Sequence, residues 1–237
     1  GAALAPVFEA RLHVGWVREC HGDLHLANLV LIDGVPQLFD AIEFNQALRW
    51  IDCVADSAFL VMDLEARGRA DLAWRFLNAW LEHTGDYDGL QVLAYYRVYR
   101  ALVRARVAGM RSTQAQGAAR AASAQECQRY LELAARTTRM RPVALWLAHG
   151  FSGAGKSTQS QALIEQRGVV RVRADVERKR LFGLAPQASS AAVPGGIYTR
   201  EASQRTHDRL AQVARAALDA GHTVLVDATF LNPALRA

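Results

Sequence analysis

Asp23 stands behind His21 and Gly22, is followed after four intervening residues by Asn28, and later in the chain by Phe39 and Asp40. Phosphoryl transfer needs such a set: one carboxylate takes the proton of an attacking hydroxyl, and an amide with a second carboxylate holds magnesium against nucleotide phosphates. Asp23 fits the base, and Asn28 and Asp40 fit the metal ligands. By average residue frequencies HGDxxxxN arises by chance in about one chain in a thousand of this length.

A second set lies in HGFSGAGKST. Gly150, Gly155, Lys156 and Ser157 satisfy the Walker A pattern G-x-x-x-x-G-K-[ST], with Gly153 and Thr158 inside and beside it. Glycines let backbone N–H groups turn inward around phosphate oxygens, the following helix start adds its positive end, Lys156 reaches the β and γ phosphates, and the Ser157 hydroxyl serves magnesium. Lys156 is one of only two lysines, with Lys179, among 28 basic residues. Two aspartates follow. Asp227 closes GHTVLVD, where a carboxylate at a strand end serves the magnesium shell. Asp175 closes VVRVRAD, where it is placed to accept a proton from an acceptor hydroxyl.

These residues need elements to hold them. LVLIDGVPQLFD alternates around Asp33-Gly34, a strong hairpin signal because this pair tolerates positive φ. The hairpin folds the chain back and brings Asn28 and Asp40 to one site, while Pro36 restricts its second strand to an edge. Residues 7–20 read as a helix followed by a short extended approach to the HGD loop. From Ile51 to His83 apolar residues recur at helical spacing, with Gly68 as the break between two helices. Residues 89–140 read as two more, the first ending near Gly109 and the second running from about Ala118 to Arg139. Trp74, Phe76, Trp80, Tyr95, Tyr96 and Tyr99 fall in helical periods and are expected in the core. Asp52 and Asp56 are expected to cap or brace helices, His21 to support its loop, and His25 and Glu43 to have surface or hydrogen-bonding roles only. After Arg141-Pro142, where proline disfavours helix before it, the pattern becomes strand, glycine loop, helix. The domain boundary is placed there.

Composition narrows the classes. The 237 residues are 51% hydrophobic and 22% charged, which excludes a disordered or collagen-like chain. The net charge of +5 divides into −8 for residues 1–88 and +13 for 89–237, the mark of two units. Three widely spaced cysteines, Cys20, Cys53 and Cys127, form no zinc or disulfide pattern and point to a reducing cytosol, so a cytoplasmic location is expected. No apolar run reaches the length of about 20 residues that spans a bilayer.

HGDLHLAN resembles the catalytic loop of the aminoglycoside phosphotransferase family, whose fold is similar to that of protein kinases. The resemblance implies that residues 1–141 form a mostly helical kinase-like C-terminal lobe, with Asp23 as catalytic base and Asn28 and Asp40 as magnesium ligands. The lobe that carries the phosphate-covering loop and its strand lysine has no counterpart before Asp23. This half alone is therefore expected not to transfer phosphate. GFSGAGKST, RADVERKRLFG and VLVDATFLN resemble the small P-loop kinases of the zeta-toxin, polynucleotide-kinase and gluconate-kinase type. That implies an α/β fold for 142–237, a partial three-layer α/β/α P-loop domain with a parallel sheet, and makes Arg178 a substrate or phosphate contact. Further strands and an arginine-bearing lid would lie past Ala237. Together the halves resemble the bacterial fusions called bifunctional aminoglycoside phosphotransferase/ATP-binding proteins.

The expected function is Mg-dependent transfer of the ATP γ-phosphate to a small-molecule hydroxyl acceptor, with ATP and Mg2+ as cofactors and no membrane partner. A nucleotide hydrolase or nucleotide-sensing switch uses the same cradle and is the alternative. Ten arginines between Arg97 and Arg141 face only Glu126 and Glu132; nucleic-acid binding through them is the least favoured reading, since the region lacks the interleaved exposed aromatics that stack single strands. If the strand at 143–148 has one unpaired edge, self-association through it is expected.

Overall fold

The computed structural model describes residues 2–139, 142–151, 154–191, 193 and 195–230. The fold is mixed α/β and mostly helical, and it divides into two compact units: residues 1–73 with 91–139, and residues 74–90 with 140–237. The longer stretch of the second unit begins at residue 140. Residues 74–90, however, group with the glycine-loop half.

The first unit begins with α1 (Ala5–His13), opened by a proline suited to a first helical turn. Strand β1 (Val17–Glu19) runs antiparallel to β4 (Trp50–Asp52). Between them β2 (Leu29–Ile32) and β3 (Val35–Leu38) form the expected hairpin, with Leu29 opposite Leu38. Its turn puts Asp33 at φ 52° and Gly34 at 77°, the pair of positive values a two-residue turn requires. Helix α2 (Cys53–Ala66) is buried on all sides from Val54 to Leu64, which makes it the central element of this unit. Asp52 caps it by accepting the Val54 N–H at 3.0 Å and also takes both prongs of the buried Arg11 guanidinium, at 2.6 and 2.8 Å. After Gly68 at φ 76° come α3 (Ala70–Thr84), whose residues from Trp74 onward belong to the second unit, then α4 (Leu90–Gln114) and α5 (Gly117–Thr137). Phe59 and Met62 of α2 pack against Ala101 and Ala105 of α4 and Tyr130, Leu133 and Ala134 of α5.

Two helix expectations are corrected. Helix α4 does not end near Gly109 but continues to Gln114; one glycine inside a helix costs about 1 kcal/mol, and here it sits against α5, where a Cβ would lie 3.7 Å from the Cys127 sulfur. None of the six aromatics expected in the core is fully buried, and Tyr95 and Tyr99 are exposed. Ala73, Leu77, Leu81, Ala101 and Ala105 take the buried stripes instead. Small side chains permit the closest helix approach and leave the rings on the flanks, where Tyr95 and Tyr96 contact Phe8 edge-on.

The second unit is built on β5 (Leu145–Ala148), α6 (Lys156–Arg167), β6 (Val170–Arg173), α7 (Ala174–Leu181), α8 (Arg200–Asp219) and β7 (Val224–Asp227). The three strands are parallel in the order β5–β7–β6, and Ala148, Asp227 and Arg173 stand in register at their carboxyl ends. All four residues of central β7 are buried. Helices α6 and α8 pack on both β6 and β7; α8 buries Ala202, Thr206, Leu210, Val213, Ala214 and Ala217, a single apolar stripe at helical spacing. Within the described residues β5 pairs on one side only. The outer side of β6 is met by Asn78 of α3, whose amide donates to Val169 O at 2.9 Å and accepts the Arg171 N–H at 2.6 Å. One side-chain amide thereby stands in for the peptide of a neighbouring strand.

Candidate functional site

The glycine loop leaves β5 at the carboxyl edge of the sheet, where ligands bind in open parallel sheets. Gly150, at φ 142°, donates its N–H to Thr229 O at 3.3 Å. Gly155 adopts φ 75° as the residue before α6 and offers no side-chain cap, so the chain enters the helix through a conformation that only glycine takes freely. Lys156 folds back over the loop, its Nζ donating to Gly150 O at 2.8 Å and Phe151 O at 2.6 Å. Gly153 lies outside the described residues.

Ser157 and Asp227 meet. The Ser157 hydroxyl donates to Asp227 Oδ2 at 2.9 Å, and Asp227 is buried at the end of the strand adjoining β5. A hydroxyl beside a carboxylate is a hard-oxygen donor set suited to Mg2+, which takes one or two carboxylates and completes its shell with water and phosphate oxygens. Among the described residues no cluster of three or more His, Cys, Asp or Glu forms an all-protein metal cage, and Mg2+ held together with nucleotide phosphates needs none. Thr158 lines an open groove of about 570 Å³ with Ser157, Gln161, Glu165, Arg171 and Arg173.

Asp175 departs from expectation. Strand β6 stops at Arg173, level with Asp227, and Asp175 lies in the first turn of α7, where a carboxylate is favoured by the helix dipole. Its carboxylate pairs with Lys179 at 2.9 Å and stays 44% exposed. Arg178, on the same helix, lies 4.9 Å over the Tyr198 ring, and its Nε has no partner.

In the first unit the HGD loop is held from several sides. Gly22 has φ 83°, and a Cβ there would come within 2.8 Å of Leu48 O. His21 Nδ1 accepts the Asp23 N–H at 3.4 Å, so Nε2 carries the proton and donates to Phe39 O at 2.8 Å. Asp23 sits close to Asn28: the Asn28 amide donates to Asp23 O at 3.0 Å and to Oδ2 at 3.2 Å. Asp40 follows the open end of the hairpin, away from its turn, where the Phe39 N–H donates to Asn28 O at 3.2 Å; it is exposed and holds φ 60°, a strained value for a side chain with a Cβ.

Three supports are underspecified in the sequence: His25 is expected only to hydrogen-bond or lie at the surface, Asp56 to cap or brace a helix, and Asp63 is not singled out. His25 is buried; its Nδ1 accepts the Ala27 N–H at 3.2 Å, which leaves the proton on Nε2, 3.3 Å from Asp23 Oδ2. That bond is the largest cause holding the Asp23 carboxyl below the ordinary carboxylate range, against the opposing effect of burial. Asp56 braces the loop and not a helix end, accepting the N–H groups of His21 at 2.9 Å and Gly22 at 3.1 Å; burial pushes its carboxyl up despite those bonds. Asp63, wholly buried, accepts from Tyr130 Oη at 2.6 Å, Leu26 N at 3.0 Å and Arg67 Nε at 3.2 Å. A signal existed: two acids seven residues apart share one face of an otherwise apolar helix.

The arginine-rich helices spend much of their charge internally. Arg97 pairs with Glu65, Arg100 lies 4.7 Å over the Phe59 ring, and Arg104 and Arg111 both reach Glu126, at 3.6 and 2.8 Å.

A parallel sheet with a glycine loop at its carboxyl edge, a lysine folded across that loop and a serine–aspartate pair beside it is the arrangement of a P-loop nucleotide-binding domain. Residues 145–237 match the AAA domain family. Over 232 residues, 98% of this chain, the sequence is 34% identical to uncharacterized proteins of Mycobacterium tuberculosis and of Mycobacterium bovis. The chain spans about half, 46%, of the length of these relatives. No solved structure matches. Among the described residues no helix is long and apolar enough to cross a membrane.

Proposed function

We propose that the chain is part of an ATP-dependent phosphotransferase that moves the γ-phosphate to a hydroxyl acceptor. The observation that carries this reading is the Ser157–Asp227 pair beneath the lysine-bearing loop. Gly150, Gly155 and Lys156 would cradle the phosphates, with Gly153 and Thr158 beside them, and Ser157 and Asp227 would hold Mg2+. The ion, when bound, offsets charge developing on the phosphate oxygens. Asp175, half-exposed at the carboxyl edge, takes the acceptor proton, and Arg178 contacts the acceptor or its phosphate. The experiment is ATP binding with and without Mg2+ for the chain and for Lys156→Ala. Loss of Mg-dependent affinity in the variant supports the assignment, and equal affinity sinks it.

Residues 1–141 are read as a kinase-like C-terminal lobe beside a P-loop domain at 142–237, as in the aminoglycoside phosphotransferase/ATP-binding fusions. Asp23 acts there as base, with Asn28 and Asp40 toward magnesium. Support comes from the doubly held Asp23 carboxylate, whose Oδ2 is bound by His25 and Asn28. The outer edge of β5 is proposed as a self-association edge.

One observation favours the second reading, nucleotide hydrolysis or sensing: Asp175 is already ion-paired with Lys179. That contact occupies Oδ2, one of the two oxygens able to accept a proton. Phosphate released to water in the presence of candidate acceptors, with none transferred, decides for that reading.

A further inference from the structure

We propose that Glu82, on α3, is a positioning residue for the nucleotide site, acting through Arg171 on the first turn of α6. The inference rests on the reading of that site as an Mg-nucleotide site. Glu82 lies outside the stretch that matches the AAA domain family, yet it belongs to the same compact unit.

Glu82 and Arg171 form a nearly buried pair, with side chains 13% and 9% exposed. Glu82 Oε1 accepts from Arg171 Nε at 3.0 Å and Nη2 at 2.8 Å, while Oε2 accepts from Arg173 Nη1 at 3.3 Å. A guanidinium is rigid and planar, so two prongs fixed on one carboxylate oxygen dictate where the third points. It points at α6: Nη1 donates to Ser157 O at 3.3 Å and to Ser160 Oγ at 3.1 Å, and Ser160 Oγ itself donates to Ser157 O at 2.9 Å. The Ser157 carbonyl is thus held by two side-chain donors while its hydroxyl is held by Asp227. One helical turn before Glu82, Asn78 pins the backbone at Val169 and Arg171. Helix α3 therefore holds both the backbone and the guanidinium of Arg171.

Removing the Glu82 charge leaves a buried arginine without its carboxylate, an arrangement the protein relieves by swinging the guanidinium toward water. Ser157 then loses a support of its carbonyl. Lys156 and the glycine backbone, which contact phosphate, keep theirs. The expected consequence is selective: the gain in ATP affinity that Mg2+ confers falls, and the affinity without Mg2+ does not.

The test measures ATP dissociation constants on the full chain, with Mg2+ in excess and with EDTA, for the unmodified protein, Glu82→Gln, Glu82→Asp and Lys156→Ala. Loss of a group that orients a metal ligand lowers metal affinity by about tenfold or more, so the ratio of the EDTA to the Mg2+ dissociation constant is expected to fall about tenfold in Glu82→Gln. Glu82→Asp keeps the charge, is expected to fold if Glu82→Gln does not, and should restore part of the ratio. A ratio unchanged in the folded Glu82 variants, or a weakening equal in Mg2+ and EDTA, overturns the inference, because a merely structural role moves both constants together. If Lys156→Ala binds as the unmodified protein does, the nucleotide reading itself fails and this inference with it. Loss in Lys156→Ala together with an unchanged ratio in the Glu82 variants sinks the inference alone.

Discussion

His25 holds the carboxylate of Asp23: a buried imidazole, its tautomer set by the Ala27 N–H, places Nε2 3.3 Å from Asp23 Oδ2. Hydrogen bonding to the charged form favours that form, in line with the lowered carboxyl of Asp23. His25→Ala is expected to return the Asp23 titration toward the ordinary carboxylate value, read by NMR of its side-chain carboxyl carbon. The stability this contact contributes is present above the ordinary carboxylate pKa and is lost as pH falls through the depressed one. The variant should therefore lose stability at neutral pH and show a flatter dependence in that acidic window. An unmoved titration would remove His25 from its role.

Asp63 is a buried anion with three donors, and each donor matters because an unpaired charge inside is costly. Tyr130→Phe deletes a 2.6 Å bond without changing the ring and is expected to cost about 1.5–3 kcal/mol in urea unfolding. A cost near zero would mean that water replaces the phenol.

Gly22→Ala meets two obstacles, φ 83° and a carbonyl oxygen 2.8 Å from the new Cβ. The left-handed backbone alone costs about 1–2 kcal/mol for a residue with a Cβ, and the contact with Leu48 adds to it. Chemical denaturation showing less than the backbone cost would refute the geometry of the loop.

Asn78→Ala uncovers the outer side of β6. The Arg171 amide, bound at 2.6 Å to Asn78 Oδ1, is expected to be protected from hydrogen exchange in the unmodified chain and to exchange freely in the variant. Protection that survives the substitution would show that another group covers this edge.

Ser157→Ala removes the hydroxyl but not the helix. Mg-dependent ATP affinity should drop about tenfold or more while thermal stability changes little. Full Mg dependence in the variant would exclude this hydroxyl as a metal ligand.

The glycine loop, the hairpin turn and the break at Gly68 were legible because each depends on local backbone requirements. A left-handed position calls for glycine, and a two-residue turn for Asp-Gly. Such demands are written within ten residues of the place they act. The same local reasoning misplaced Asp175 by extending a strand past its last paired residue, and it sent six aromatics inward because helical spacing does not say which side of a ring-bearing helix meets its neighbour.

By itself the sequence determined which residue types are available for phosphate chemistry and the order in which they come. Only the tertiary structure decided what holds them. Asp56 reaches the HGD loop from 35 residues away, and Glu82 reaches Arg171 from 89. A glutamate on a helix, read along the chain, looks like solvated surface. It becomes a partner for a buried arginine only when packing removes both from water, and at that point pairing is required because neither charge can be left alone.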